Sequence, residues 1–194
     1  MTTQAPEQEA DSAAAKVLAI LAMYEAATIT QDTAAQAIAT ATFAGKAVAS
    51  RWADAYISTL ANVRPTGLIP DREELDRLAD AAQTVLSEDA EATQERLERL
   101  ARAEVLSSKQ QALRAAIESA GFEFWQRIGA ADCCEEICRP LDNEIQPVKR
   151  IFWAHPLCRC RLVPYGERTQ QPEPVEATQS PLFTITRGVE RTAS

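Results

Sequence analysis

Residues 132–164 read DCCEEICRPLDNEIQPVKRIFWAHPLCRCRLVP. All five cysteines and the only histidine of the 194-residue chain fall within this stretch. Cysteine and histidine are the side chains that bind zinc, and paired cysteines can form disulfides. We therefore expect this stretch to form a module whose fold is decided by its cysteines.

The cysteines occur in two pairs that have the spacing of metal ligands. Cys134 and Cys138 are four positions apart, so on a single helical turn their side chains share a face. Cys158 and Cys160 are two positions apart, so on an extended strand both side chains leave the same face. Together with His155, these residues predict a tetrahedral zinc site of four sulfurs, or of three sulfurs and one imidazole nitrogen.

Disulfides and free buried thiols are the alternatives to a metal site. Either a metal or a disulfide would stabilise a small module that has few core residues. The N-terminal sequence MTTQAPEQEADSAAAK has no basic region followed by an apolar one, as a secretory signal would. We therefore expect synthesis in a reducing cytoplasm, which favours metal over disulfides. In the metal interpretation Cys133 is a spare cysteine.

The motifs around the cysteines resemble those of a known family. The run from Cys138 to Asp142, CRPLD, and the later run HPLCRCRLVP, which begins at His155, resemble the C-terminal signature of the phage head morphogenesis family. Its members are also called Mu F-like minor capsid proteins. The first motif here, CEEIC from Cys134, is one residue longer than the usual Cys-x-x-Cys. Asn143 replaces the usual glycine, and asparagine tolerates a left-handed backbone.

The resemblance extends upstream and covers roughly residues 97–164. The run Arg102-Ala103-Glu104 is similar to the family's Arg-Thr-Glu helix, which is followed by its first strand. The resemblance implies a low-copy structural component of the head of a tailed phage, acting in procapsid assembly near the portal. It implies portal and capsid proteins as partners. The implied locations are the virion and, during assembly, the host cytoplasm.

The chain before the cysteines has the periodicity of long helices. It is rich in alanine, and its larger apolar residues recur at near-helical spacing. Two prolines and a glycine within residues 63–70 interrupt the pattern. No run approaches the roughly 18 apolar residues that a membrane-spanning helix needs. The predicted helices span about residues 11–28, 32–61, 71–86 and 88–120.

Caps and charges complete the helical interpretation. Asp32 or Thr33 is predicted to cap the second helix and Asp71 the third, and Gly121 is predicted to end the fourth. Eleven acidic side chains and five arginines lie between residues 71 and 104, which explains most of the formal net charge of −8. We interpret them as a solvated helix face with i, i+4 pairs rather than as an acidic recognition surface.

The fold class predicted from these patterns is α+β. A long Ala-rich helical region, residues 1–120, precedes a small β module tied by a Cys/His knuckle, residues 121–165. Predicted strands at residues 122–128, 145–153 and 159–163 form its sheet. Residues 166–194 are polar and proline-containing, so we expect a flexible, disordered tail. Within it, residues 181–189 alternate, which fits a strand that joins a partner's sheet edge or a weakly sticky end.

The sequence has no recognisable catalytic constellation. A nucleophile pair of Cys158 and His155 is formally possible, but a histidine among clustered cysteines favours a ligand or a structural turn. No Gly-x-Ser-x-Gly, phosphate-binding glycine loop or His-Glu-x-x-His occurs. We therefore expect no enzymatic activity. A capsid maturation protease remains an alternative, because proteins similar to this family are sometimes fused to one or labelled as such.

A nucleic-acid-binding knuckle protein of the virion is the second alternative. Basic side chains lie around the cysteines, and zinc-knuckle-like elements often bind nucleic acids. The sequence pI of about 4.8 argues against strong binding of a phosphate backbone by the whole chain. The sequence therefore predicts at most a weak DNA contact. The basic residues are Arg139, Lys149, Arg150, Arg159 and Arg161.

Overall fold

The computed structural model describes residues 5–87, 90–130, 136, 138–152 and 157–168. Within these ranges the fold is α+β, as the sequence predicts, with four helices before a three-stranded antiparallel sheet. The helices are α1 (Ala5–Glu25), α2 (Gln31–Ala61), α3 (Glu74–Leu86) and α4 (Ala90–Ser119). The strands are β1 (Phe122–Ile128), β2 (Ile145–Pro147) and β3 (Arg161–Arg168), with a 3-10 turn at Arg139–Leu141 between β1 and β2.

Helix α1 begins earlier than the predicted start near residue 11. Pro6 lies in its first turn, where backbone N–H groups have no hydrogen-bond partner within the helix. The missing N–H of proline therefore costs no hydrogen bond there. Glu7 follows in the same turn and forms a 2.9 Å ion pair with Lys109 of α4, whose side chain is buried. This contact with a distant helix explains the extra turns, because nothing local in the sequence predicts them.

Two helix starts differ in their capping residue from the prediction. The side chain of Thr30, in extended conformation, accepts a hydrogen bond from the backbone N–H of Thr33. Thr30 is therefore the cap of α2, and the predicted candidates Asp32 and Thr33 lie inside the first turn. Helix α3 starts later than predicted, because Asp71 accepts from the backbone N–H of Glu73 and closes a turn ahead of the helix.

Helices α1, α2 and α4 approach one another through small residues. A Cβ atom added at Gly45 of α2 would lie 2.8 Å from Val105 of α4 and 3.2 Å from Ala13 of α1. Alanine and glycine permit this close approach, but each contributes little buried apolar area. One small buried cluster between these helices consists of Ala10, Ala13, Ala49, Val105 and Leu106.

The sheet has the strand order β2-β1-β3, with both pairs antiparallel. Its inner face carries Trp125, Arg127 and Leu162, which are all buried. Pro164 pairs with Trp125 but belongs to β3, an edge strand, where a residue without an N–H group is tolerated.

The last two strands differ in length from the prediction. Strand β2 ends at Pro147 rather than at residue 153, because the N–H of Arg150 donates to the carbonyl of Pro147 and turns the chain. Strand β3 begins later than predicted and continues to Arg168 through an irregularity in its pairing, with Gly166 at a φ of 86°. Residues 166–168, predicted as tail, therefore belong to β3. The remainder of the predicted tail, 169–194, lies outside the described residues.

The sheet packs on α2 and α4 through one buried cluster. Its members come from both helices, from the sheet and from the segments around the cysteines, so the cysteine region rests directly against α4. None of the helices in the described ranges carries an apolar stretch long enough to cross a lipid bilayer. The largest members of the shared cluster are Ile57, Leu113, Ile117, Trp125, Phe152 and Leu162.

Candidate metal centre

Three of the predicted ligands come together in the structure. The sulfur atoms of Cys138, Cys158 and Cys160 all lie within 4.8 Å of one another. Each residue is at most 2 % exposed. The two cysteine motifs, separated in sequence, therefore meet at one buried point.

A tight turn positions Cys138. This residue precedes the 3-10 turn, and its carbonyl accepts a hydrogen bond from the N–H of Leu141. Asp142 then binds back to the end of β1, because its carboxylate accepts from the N–H of Gly129 at 2.7 Å. Asn143 has a φ of 63°, a left-handed conformation that asparagine tolerates better than most residues. These contacts fix the first motif against β1.

The second motif leads directly into β3. Leu157 has a φ of 70°, and this left-handed residue turns the chain immediately before Cys158. Cys160 immediately precedes the first residue of β3. Its carbonyl accepts a hydrogen bond from the side-chain amide of Gln110 on α4. The second motif is therefore held by a strand on one side and by a helix on the other.

Side chains of α4 and of the inner sheet face pack around the cysteine cluster. Arg114, one helical turn after Gln110, donates to the carbonyl of Val148 at 3.3 Å. Phe152 packs edge-on against Trp125, with the ring centroids 5.6 Å apart. The guanidinium of Arg127 lies 4.1 Å from the centroid of the same Phe152 ring, within cation–π distance. Trp125 and Phe152 belong to the same buried cluster as the three cysteines.

The distance between two of the sulfurs fits a shared metal ion or a contact between thiols, but not a disulfide bond. The sulfurs of Cys138 and Cys158 are 3.8 Å apart. Zinc–sulfur bonds of about 2.3 Å place two sulfurs of a tetrahedral site about 3.8 Å apart, whereas a disulfide bond is about 2.05 Å long. No disulfide joins Cys138, Cys158 and Cys160 to one another. Three buried, converging sulfurs can hold a metal ion.

The other predicted ligands lie outside the described residues. Cys134 and His155 are the two predicted candidates for a fourth position, and Cys133 is the predicted spare cysteine. Of the four or five predicted ligands, the structure therefore describes three.

A network of ion pairs was not found from the sequence. Lys46 of α2 lies 2.5 Å from Glu74 of α3 and 2.7 Å from Glu104 of α4. Arg77 of α3 contacts the same two carboxylates at 2.8 and 2.7 Å. Glu74 and Glu104 were interpreted as part of a solvated acidic face, but they join three helices instead. The only sign in the sequence is that Lys46 lies in an alanine-rich helix, and this does not identify the carboxylates that it contacts.

The network lowers the pKa of both carboxyl groups. Hydrogen bonds from Arg77 and then Lys46 lower the pKa of Glu74 to about 2. Burial raises the pKa of Glu104, but hydrogen bonds from Arg77 and Lys46, with their positive charges, lower it by more. Both carboxylates therefore stay charged at neutral pH.

A second buried carboxylate holds the loop between α2 and α3. Asp54 accepts hydrogen bonds from the backbone N–H groups of Thr66, Gly67 and Leu68, and from the Thr66 hydroxyl. Burial raises the pKa of Asp54, but these hydrogen bonds lower it below its usual value overall. The residue has a structural role, since both of its carboxylate oxygens accept hydrogen bonds from the loop.

The fold and the site define an α+β protein with a buried three-cysteine cluster that can hold a metal ion. Comparisons with protein-family models, with curated proteins and with solved structures found no match to this chain.

Proposed function

We propose that this chain is a minor head protein of a tailed phage, a low-copy structural component that acts in procapsid assembly near the portal. The motifs that begin at Cys134 and His155 support this proposal, because they resemble the C-terminal signature of Mu F-like minor capsid proteins. Its partners are then portal and capsid proteins. It is found in the virion and, during assembly, in the host cytoplasm, and it acts without enzymatic activity of its own.

The observation that carries the proposal is the convergence of the two motifs. Cys138 belongs to the first motif, and Cys158 and Cys160 belong to the second. Their sulfurs meet within 4.8 Å although the motifs are separated in sequence. A chance likeness in short cysteine motifs would not require them to meet in space. The convergence therefore supports reading them as two halves of one knuckle.

We also propose that the metal is a structural zinc ion. Thiolates are the ligands that zinc prefers in closed structural sites, and such sites have four protein ligands. Cys138, Cys158 and Cys160 supply three, and Cys134 or His155 supplies the fourth. When bound, zinc cross-links the two motifs, and the sheet of three short strands gains stability that its small core does not supply.

Particle composition tests the function. Phage particles are purified and the copy number of this chain is measured against the major capsid protein by quantitative mass spectrometry. We expect far fewer copies than of the shell subunit, and co-purification with the portal protein from procapsids. Absence from both procapsids and mature particles would contradict the proposal.

Two assays on the isolated protein separate the alternatives. Cleavage of capsid subunits by the purified chain would favour a maturation protease. Retention on DNA that falls steeply with added salt would favour a nucleic-acid-binding protein, because phosphate contacts release counterions. We expect neither activity.

Metal analysis tests the zinc site. The protein is purified without reductant or chelator, and zinc content and reactive thiols are measured on the same sample. We expect close to one zinc per chain, with the cluster thiols protected until a chelator is added. Stoichiometric disulfides without zinc would overturn the metal assignment and leave the head-protein proposal open to its own test.

A further inference from the structure

The outer face of the sheet carries several apolar side chains that the described residues leave partly exposed. Phe124 lies directly between Pro147 of β2 and Tyr165 of β3, and cross-strand partners in an antiparallel sheet share a face. Ile145 and Val163 flank Gln126, the next residue of that face on β1, so the apolar side chains surround one polar side chain. Opposite this surface, the inner face packs on α2 and α4. We use the name outer sheet face for the surface formed by Phe124, Ile145, Pro147, Val163 and Tyr165.

Exposure of this face is unusual for its composition. Phe124, Ile145 and Tyr165 are each about two-fifths exposed, at 39 %, 41 % and 43 %. Single exposed apolar residues are common, whereas contiguous apolar side chains on one face are typical of contact surfaces. A sheet of only three strands also gains stability when both of its faces are covered. A covering segment should therefore be extended and apolar on one side.

The chain itself contains such a segment. Residues 181–189 read PLFTITRGV, in which Phe183 and Ile185 alternate with threonines. Alternation of this kind gives an extended segment one apolar side and one polar side. The segment follows β3, whose last residue, Arg168, is part of the same sheet.

The connection is long enough and favours the same chain over a free partner. Residues 169–180 separate β3 from this segment and can extend over about 40 Å. The sheet itself spans only about 20 Å along its strands. A short linker gives a tethered segment an effective concentration of about millimolar. A free partner of equal affinity would have to reach a similar concentration to compete.

We propose that residues 181–189 of this chain bind the outer sheet face, with Phe183 and Ile185 packed on Phe124 and Tyr165. The segment covers the second face of the sheet, as α2 and α4 cover the first. This contact does not depend on the proposed role in phage heads, and it assigns an intramolecular function to the one alternating stretch of the C-terminal sequence.

Photo-cross-linking of the full chain tests the proposal. The variant Phe183→p-benzoylphenylalanine is irradiated at micromolar concentration, and cross-linked peptides are mapped by mass spectrometry. We expect links within one chain, to peptides that contain Phe124, Ile145 or Tyr165. Links between two chains, links that map elsewhere, or the absence of links would overturn the proposal.

Matched substitutions in the tail make the test specific without disturbing the sheet. Ile185→Asp places a charge on the apolar side of the segment, and we expect it to lower the cross-link yield by about tenfold, since a buried unpaired charge is costly. Thr184→Asp adds the same charge on the polar side and should leave the yield unchanged. Equal effects of the two substitutions would mean that no defined face of the segment is bound, which contradicts the proposal.

Discussion

Cys158 connects the candidate metal centre with the packing around it. Its sulfur is 3.8 Å from that of Cys138, and the residue belongs to the buried cluster that joins the sheet to α2 and α4. A change at this position therefore affects both the ligand set and the core. That makes it the most informative single residue for the role of the cluster.

With the proposed zinc site, the substitution Cys158→Ser should release the metal and weaken the module. A lost ligand removes metal binding that contributes to folding, and we expect the free energy of unfolding to fall by about 3 kcal/mol or more. Urea denaturation and protease resistance of residues 121–165 measure the effect. Cys133→Ser, at the predicted spare cysteine, is the control and should be mild. Unchanged protease resistance of the Cys158 variant would show that the cluster is not a structural tie.

Asp54 stabilises one loop, the one between α2 and α3, by accepting hydrogen bonds from its backbone. Asp54→Asn keeps the size of the side chain but replaces one accepting oxygen by a donor, which then faces backbone N–H groups. We expect a loss of about 1–3 kcal/mol in the free energy of unfolding, measured by urea denaturation. The exposed Asp80→Asn on α3 is the matched control and should change stability little. Equal stability of the two variants would mean that the loop does not need the carboxylate.

Gly45 tests how closely the helices approach. Alanine is favoured over glycine in a helix by about 1 kcal/mol, but a Cβ here would lie 2.8 Å from the Val105 side chain. Overpacking of a buried contact costs about 1–3 kcal/mol, so we expect Gly45→Ala to be destabilising overall in thermal unfolding. Thr40→Ala, at an exposed site of the same helix, should be neutral or slightly stabilising. A more stable Gly45 variant would show that α1 and α4 can move apart at little cost.

At the scale of elements, local sequence predicted the helices and part of the sheet. Alternation identified β1 with its observed bounds, and Gly121, at a φ of 83°, follows the end of α4 as predicted. The predicted end of β2 at residue 153 is wrong, because the turn after Pro147 depends on pairing with β1. The extension of β3 was missed because Gly166 reads as a breaker in isolation, whereas in the sheet it continues the strand.

The same contrast holds for the site. Cysteine spacing grouped Cys138, Cys158 and Cys160 with Cys134 and His155 as predicted ligands, and the structure brings the first three together. Gln110 and Lys46 could not be assigned in the same way, because their partners are more than 25 residues away in sequence. Polar residues on helices are usually solvated, and only tertiary packing distinguishes those that are buried.

The ion pairs between α2, α3 and α4 predict a specific pH dependence. The pKa of Glu74 falls from 4.5 to about 2 on folding, so its carboxylate stabilises the fold above about pH 4.5. This contribution is lost as the pH falls towards 2, where the folded protein also takes up the proton. The side chain is one-third exposed, so solvent screening reduces its value at neutral pH to about 1 kcal/mol.

Glu74→Gln tests this dependence. We expect the difference in unfolding free energy between the parent protein and this variant to be largest near neutral pH and to shrink between about pH 4.5 and pH 2. Urea denaturation at a series of pH values measures it. A constant difference across the series would mean that the charge of Glu74 contributes nothing to stability.

For the whole molecule, the shared hydrophobic cluster determines how the two regions unfold. Ile57 of α2, Leu113 and Ile117 of α4, and Leu162 of β3 belong to one buried set. If either the helices or the sheet unfolded alone, the apolar residues of the other would also become exposed to water. Small domains with one continuous core usually unfold in a single transition. The helical region and the cysteine module should therefore unfold together.

Leu162→Ala tests this coupling. The residue is fully buried in β3, so its truncation should cost about 2–5 kcal/mol. Fluorescence is read in a Trp52→Phe background, because Trp52 lies in α2 and the other two tryptophans lie in the module. We expect helical circular dichroism and tryptophan fluorescence to shift to the same lower urea midpoint, because the helices lose the partner that covers α4. Ile69→Ala, at a loop residue that is 65 % exposed, is the control and should shift neither signal. If the fluorescence midpoint falls while the helical signal keeps the parent midpoint, the two regions are independent folding units.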